Sequence, residues 1–215
     1  MSASDGQADD ALVARLLGGD EDAFVALVGR YERSLHRVAR TFVKDDSLAE
    51  DVVQETWIGL LRGIHKFEGR ASFKTWLFRV LANRARTRAV REARYVPIDQ
   101  TDEPSTVDGQ FEPDGRWRVP PREWQITPER LLLSDEVREL VDGTLAELPA
   151  TQRAVVELRD VEGLDGAEVC NILGISETNQ RVLLHRGRTK LRAALAGKLE
   201  SDGERRSGGA RSAGR

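Results

Sequence analysis

The sequence has 215 residues, of which 40% are hydrophobic and 32% are charged. This composition is typical of a globular protein with a charged surface, and the formal net charge of −3 excludes any argument for nucleic-acid binding from total charge alone. The single cysteine, Cys170, excludes an internal disulfide. The three histidines lack the spacing of a zinc site, so we expect no metal and no cofactor.

The first residues, MSASDGQADD, are polar and acidic, unlike a signal peptide. No apolar run approaches the roughly 18 residues that cross a bilayer. An unpaired cysteine fits a reducing compartment. These features predict a cytoplasmic protein without direct membrane insertion.

Composition along the chain predicts an all-α fold, with two small helical domains joined by an irregular linker. Alternating strand patterns are almost absent, and five of the seven prolines lie between the helical stretches. We expect a disordered N-terminus over residues 1–10, a helical domain over 11–95, a Pro-rich acidic linker over 96–127, a helical domain over 128–197 and a disordered tail over 198–215.

The predicted linker contains two tryptophans, Trp117 and Trp124. Spacers rarely carry such residues. Either the two side chains pack back onto a domain or they meet a partner surface, and the sequence leaves both possibilities open.

The stretch DSLAEDVVQETWIGLLRGIHKF predicts a helix with one apolar stripe. The stripe consists of Leu48, Val52, Val53, Trp57, Leu60, Leu61 and Ile64. Asp51, Gln54, Glu55 and Arg62 fall off this stripe and should face outward. Such a face is either simply solvated or a partner-binding surface.

The stretch RASFKTWLFRVLANRARTRAVREAR, residues 70–94, holds eight basic residues and one acid. One helical stripe runs through Phe73, Leu77, Val80 and Leu81 and then through Arg84, Arg88 and Arg91. Arg79 and Arg86 line an adjacent face. A helix that leaves its core and enters an anionic environment would show this pattern, and phosphates suit its arginines. Trp76 is either a core residue or a ring on which an unstacked base can lie.

The C-terminal part predicts a helix-turn-helix motif. LPATQRAVVELRDVEG reads as one helix with Pro149 near its first turn. Asp165 and Glu168 then start a short helix that ends at Gly174, and Ser176 caps the next helix. The second helix of such a motif enters the major groove. We expect base contacts from Glu177, Thr178, Asn179 and Arg181, the last to a guanine, and phosphate contacts from His185, Arg186, Arg188 and Lys190.

Taken together, these blocks resemble a bacterial sigma factor of the sigma-70 family, in its compact extracytoplasmic-function (ECF) group. AEDVVQETW resembles the polymerase-binding helix of region 2, and FEGRASFKTWLFRVLANRARTRAVR resembles the part that opens and reads the −10 promoter element. LPATQRAVVELRDVEGLDGAEVCNILGISETNQRVLLHRGRTKLR resembles region 4, which reads the −35 element. The resemblance covers residues of about 11–95 and 128–196.

The resemblance implies a non-catalytic factor that directs core RNA polymerase to promoters, for a stress or envelope-related regulon. It implies three sets of contact residues. Core-polymerase contacts are Asp51, Gln54, Glu55 and Arg62. Contacts with the −10 element are Lys74, Trp76, Arg79, Asn83, Arg84, Arg86 and Arg88. Contacts with the −35 element are Ser176, Thr178, Asn179, Arg181, His185, Arg186 and Arg188.

The implied partners are the β and β′ subunits of core RNA polymerase, promoter DNA and an anti-sigma factor. The family's linker threads toward the polymerase active-site and RNA-exit channels, so Trp117 and Trp124 become candidate anchors there. Two positions depart from the family pattern: Gln180 stands where a buried valine is common, and Leu183 where a basic residue is common.

Two other functions compete with this interpretation. A stand-alone helix-turn-helix regulator would bind duplex DNA alone, usually as a dimer, but would not need the basic aromatic helix. A helical enzyme acting on nucleic acid would need clustered carboxylates, metal ligands or a phosphate-cradling loop, and the sequence presents none of these.

Overall fold

The computed structural model describes residues 3–91 and 135–212 of the chain. Its helices are α1 (Ala3–Leu17), α2 (Glu21–Ala39), α3 (Asp46–Gly63), α4 (Phe73–Arg91), α5 (Asp135–Ala146), α6 (Ala150–Val156), α7 (Gly166–Leu173) and α8 (Glu177–Ser212). A 3₁₀ turn, Ile64–Lys66, follows α3, and a π-helical turn, Glu157–Val161, follows α6. These residues contain no strand, which confirms the all-α fold class. Within the same residues, no helix has the length and apolar character needed to span a membrane.

Both predicted disordered ends are wrong within the described residues. Helix α1 begins at Ala3, so residues 3–10 belong to a helix rather than to an irregular lead. At the other end, α8 runs on to Ser212, through the glycines and serines from which an irregular tail was predicted. The predicted linker over 96–127, with Trp117 and Trp124, lies outside the described residues.

The predicted helix-turn-helix boundaries are confirmed by their caps. The Asp165 side chain accepts a hydrogen bond from the Glu168 backbone, and the Glu168 side chain reaches back to the Asp165 backbone. Gly174 ends α7 with φ 65°, a left-handed conformation that glycine adopts without a steric penalty. Ser176 Oγ accepts from the backbone N–H of Asn179 at 3.2 Å and so caps α8.

The chain divides into two compact units, and this division differs from the predicted domain boundaries. Among the described residues, unit 1 comprises residues 3–91 and 154–180, and unit 2 comprises residues 135–153 and 181–212. The segment from residue 154 to residue 180 therefore packs with the N-terminal helices.

The core of unit 1 lies between α1, α2, α3 and α4. Its largest buried side chains include Leu27, Leu35, Leu60, Phe73, Leu77, Phe78 and Leu81. On α4 the buried face continues through Ala82, Ala85 and Ala89. The expectation that α4 leaves its own core is therefore wrong, because small alanines keep its C-terminal half packed on the bundle. Leu61, predicted to lie on the apolar stripe of α3, is 48% exposed.

A buried carboxylate attaches α1 to α2. Asp9 is only 4% exposed and accepts hydrogen bonds from the Tyr31 hydroxyl and the Arg30 guanidinium. Burial, together with the hydrogen bond to Asp9, raises the pKa of Tyr31 far above its ordinary value, so the phenol remains a donor. This pairing explains why the acidic N-terminus is helical.

Replacing Asp9 with alanine should destabilise the protein by about 1–3 kcal/mol, because the Tyr31 hydroxyl and the Arg30 guanidinium lose their buried acceptor. The free energy of unfolding in urea measures the effect. Asp10→Ala is the matched control, since the adjacent Asp10 is exposed. Equal stability of the two variants would show that the buried pairing does not hold α1 in place.

Candidate nucleic-acid interface

The outward face of α3 combines polar and apolar side chains. Asp51, Gln54 and Arg62 are exposed, and Glu55 is half-buried, as the predicted polar face requires. Ile58 and Leu61 lie on the same face and are each 48% exposed. The sequence analysis missed Ile58 and assigned Leu61 to the core. The signal that finds them is their spacing of four and seven residues from Gln54, which puts all three on one side of a helix.

Ion pairs join α3 to α4, between residues predicted to bind polymerase and residues predicted to bind DNA. Arg88 Nη2 lies 2.9 Å from Asp51 Oδ2, and Arg88 Nη1 lies 3.6 Å from Glu55 Oε1. Arg84 Nη1 lies 3.9 Å from Glu55 Oε2. Acids expected to bind the polymerase therefore pair with arginines expected to bind DNA, a link that helical periodicity within each stretch does not indicate.

The position of Arg84 depends on a glycine in α3. A Cβ atom at Gly59 would lie 2.0 Å from Arg84 Nη2 and 2.7 Å from Arg84 Cζ. The guanidinium thus lies directly across the backbone of α3, in space that any other residue at this position would occupy.

The beginning of α4 carries an aromatic cluster beside a cavity. Trp76 is half-buried, with its ring centroid 5.5 Å from that of Phe67 and 6.2 Å from that of Phe73. It is therefore neither a fully buried core residue nor an isolated exposed ring. The cavity, of about 490 Å³, is lined by Gly6, Asp9 and Asp10 of α1 and by residues 69–74. Farther along α4, Arg79 and Asn83 are exposed.

Lys74 and Arg86 have partners from the C-terminal part of unit 1. Lys74 Nζ donates to the backbone oxygen of Glu162 at 2.6 Å and lies 3.0 Å from Glu162 Oε2. Arg86 Nη2 donates to the backbone oxygen of Leu173 at 2.5 Å, and its guanidinium also lies 5.8 Å from the centroid of the Phe42 ring. Neither contact was predicted.

The Glu162 carboxylate is ionised although it is buried. Burial alone would raise its pKa, but hydrogen bonds from Arg37, Ser34 and Lys74 hold the pKa of Glu162 below its ordinary value of 4.5. The net effect is that the charged form is favoured in the folded state.

On α8, most of the predicted −35 residues lie at the surface. Ser176, Thr178, Arg181 and Arg186 are exposed, whereas His185 and Arg188 are half-buried. The expectation that Asn179 reads a base is wrong, because its side chain is buried, at 5% exposed.

The two residues that depart from the family pattern, Gln180 and Leu183, are also buried. A spacing of three or four residues places them and Leu184 on the inward side of α8, which accounts for their burial. Leu183 is therefore a packing residue in this chain and does not belong to the basic surface.

His185 adds no positive charge to α8 under ordinary conditions. Burial, followed by the charges of Arg192 and Arg186, lowers the pKa of His185 below its usual 6.5. At about pH 7 the imidazole is therefore neutral, and it can offer a hydrogen bond to a phosphate but no charge.

Two family models match the chain. Sigma-70 region 2 matches residues 27–95, and Sigma-70, region 4 matches residues 138–191. The first match takes in most of α2 and all of α3 and α4. The second begins in α5 and ends within α8.

The chain is also similar to curated and solved proteins. It is 32% identical to the ECF RNA polymerase sigma-E factor of Escherichia coli strain K12 over 182 residues, which is 84% of this chain and 90% of the relative. It is 31% identical to the RNA polymerase sigma-H factor of Pseudomonas aeruginosa over 187 residues, covering 87% of this chain and 93% of the relative. A solved structure of CnrH in complex with the cytosolic domain of CnrY matches with a TM-score of 0.55 and 26% identity, covering 88% of this chain and 98% of that chain.

The lowered pKa of Glu162 gives a pH-dependent prediction. A carboxyl with a lower pKa in the folded state contributes stability above its ordinary pKa, and that contribution is lost as the pH falls through the folded-state pKa. Glu162→Gln should therefore lower the free energy of unfolding by about 1 kcal/mol at about pH 7, and the difference should shrink as the pH falls below 4.5. Thermal unfolding across this range measures it. Glu147→Gln, at an exposed position, is the control, and a difference independent of pH would refute the assignment.

Proposed function

Because the chain belongs to the extracytoplasmic-function group of the sigma-70 family of RNA polymerase sigma factors, we propose that it binds core RNA polymerase and directs promoter-specific initiation through the surfaces described above. One observation supports this proposal above all. The same chain contains a cationic, aromatic helix, α4, and a separately capped helix-turn-helix formed by α7 and α8. The regulon we expect is stress or envelope-related.

The −10 element is the proposed ligand of α4 and the loop before it. The contacts are Lys74, Trp76, Arg79, Asn83, Arg84, Arg86 and Arg88. Reading a melted duplex requires unstacked bases, and half-buried Trp76 offers an aromatic surface on which a base can stack. The adjacent cavity, of about 490 Å³, is the proposed site for a base taken out of the stack.

Core polymerase is the proposed partner of the outward face of α3. Asp51, Gln54, Glu55 and Arg62 supply polar contacts to the β′ subunit. Ile58 and Leu61 provide an exposed apolar centre within this polar rim, which is the usual composition of a docking surface. The β subunit and the channels of the enzyme are the proposed partners of the linker, with Trp117 and Trp124 as its anchors.

The −35 element is the proposed ligand of the exposed side of α8. Arg181 is placed to read a base, and a guanine suits its two-pronged donor geometry. Ser176, Thr178, Arg186 and Arg188 supply further contacts, and His185 contributes a neutral donor. A single chain with two modest DNA-binding surfaces gains affinity when one promoter presents both elements at the right spacing.

We further propose that the protein is not itself an enzyme, because polymerisation chemistry belongs to the polymerase. Its place of work is then the cytoplasm, where the polymerase is. An anti-sigma factor is a further proposed partner, which could hold the protein at the membrane, and the similar CnrH has been solved bound to the cytosolic domain of another protein, CnrY.

Transcription in vitro tests the proposed function directly. Core polymerase with this protein should produce discrete transcripts from a pool of genomic promoter fragments, whereas core polymerase alone should not. The new start sites should share elements at two fixed upstream positions. Tight binding of duplex DNA by the protein alone, without any new start, would instead support a stand-alone regulator.

The apolar centre of the α3 face gives a sharper prediction. Ile58→Asp should weaken binding to core polymerase at least about tenfold, because a charge would be buried in the contact. Stability should hardly change, since Ile58 is half-exposed. Val25→Asp, on α2 and 66% exposed, is the matched control. Equal affinities of both variants for core polymerase, measured by fluorescence anisotropy, would exclude Ile58 from the interface.

A further inference from the structure

The end of α2 and the beginning of α3 bring three metal-ligating side chains together. His36 lies in the last turn of α2, Asp46 is the first residue of α3, and Glu50 follows one turn later. The imidazole nitrogen and the two carboxylate oxygens lie within 4.8 Å of one another. Nitrogen and oxygen ligands of this kind bind Zn²⁺ in proteins. Histidine spacing in the sequence does not indicate this group, because its ligands come from two helices.

The separation of the ligand atoms suits one small cation. His36 Nε2 lies 3.3 Å from Asp46 Oδ1. Two ligand atoms that each lie about 2.1 Å from a tetrahedral Zn²⁺ are about 3.4 Å apart, so these two atoms are already at the required distance. Asp46 and Glu50 are four residues apart and therefore lie on the same side of α3. The Glu50 side chain is exposed, so rotation about its own bonds can complete a site of three ligands.

Packing fixes the backbone that carries these ligands. Between the two helices, Thr41 and Val43 are buried. The backbone N–H groups of Phe42 and Val43 both donate to the backbone oxygen of Ala39, at 2.9 and 3.3 Å. The ends of α2 and α3 therefore keep their separation without a ligand, and an arriving ion has only side chains to order.

Arg40 competes with a metal ion for one of the carboxylates. Its Nη1 lies 2.8 Å from Asp46 Oδ1, the same oxygen that approaches His36. The side chains of Arg40 and Asp46 are 44% and 57% exposed, so this ion pair contributes little to stability and is easily exchanged. A divalent cation brings twice the charge of the guanidinium and engages His36 and Glu50 as well.

We propose that His36, Asp46 and Glu50 form a binding site for a divalent transition-metal ion of the Zn²⁺ type, which joins the end of α2 to the beginning of α3. The imidazole selects such an ion over Mg²⁺, which prefers an octahedron of oxygen ligands. The unfolded chain does not hold the three ligands together, so binding stabilises the folded protein. The site is independent of the functions proposed for α3 and α4.

Calorimetric titration of the full-length, untagged chain with Zn²⁺ tests the site. His36→Gln should weaken Zn²⁺ binding at least about tenfold, since even the residues that only orient a metal ligand change affinity by about this factor. His65→Gln is the matched control and should bind as the unchanged chain does, because His65 is an exposed histidine outside the cluster. Mg²⁺ is the control ion and should bind at least about tenfold more weakly than Zn²⁺.

Arg40→Gln should change the affinity in the opposite direction. Loss of the guanidinium frees the Asp46 carboxylate, so this variant should bind Zn²⁺ at least about threefold more tightly than Arg33→Gln. Arg33→Gln removes the same charge from an exposed position of α2 and controls for the change in net charge.

Equal Zn²⁺ affinities of His36→Gln and His65→Gln would overturn the proposal and leave adventitious binding to surface groups. Equal affinities of the unchanged chain for Zn²⁺ and Mg²⁺ would overturn it too, as would equal Zn²⁺ affinities of Arg40→Gln and Arg33→Gln. Circular dichroism checks that each variant keeps its helices. If His36→Gln does not fold, Glu50→Gln against the exposed Glu21→Gln decides, and only Glu50→Gln should lose affinity.

Discussion

The buried carboxylate of Glu162, held between Arg37 of α2 and Lys74 of α4, is the interaction on which the arrangement of unit 1 depends. A buried charge is tolerated only with close ionic partners, so the pairs of Glu162 join α2 and α4 to residues 157–173.

The cations of α4 divide between two neighbours. Arg84 and Arg88 pair with acids of α3, Arg84 across the backbone of Gly59. Lys74 and Arg86 donate to Glu162 and Leu173. All four long side chains are therefore held in defined positions before any ligand arrives. If these side chains bind phosphates, as proposed, the exchange of a carboxylate or carbonyl for a phosphate costs little additional side-chain ordering. The buried alanines of α4 serve this arrangement, since they keep the helix close enough to α3 for the ion pairs to form.

Features encoded by short stretches of sequence were predicted correctly, and features that depend on distant residues were not. Asp165, Gly174 and Ser176 set helix ends through local backbone chemistry, so their roles could be inferred from residue type and spacing. The contacts of Lys74 with Glu162 join residues 88 positions apart, and no periodic pattern within either stretch indicates them. The prediction that Asn179 contacts a base was wrong for a related reason. Its residue type and its position near a helix start do not show which side of the helix it lies on, and only packing shows which side is buried.

The proposed roles of α3 and α4 together imply an order of assembly. On α3, Gln54, Ile58 and Leu61 are exposed and accessible to a partner protein, whereas on α4 the Lys74 ammonium is enclosed. The chain as a whole is slightly acidic, which does not attract DNA from solution. Under the proposed function, the chain therefore binds polymerase first, through α3, and single-stranded DNA afterwards. Asp51 and Glu55 of the α3 face are themselves paired with Arg88. A polymerase that engaged these acids, as proposed, would therefore also release an arginine of α4 for the strand.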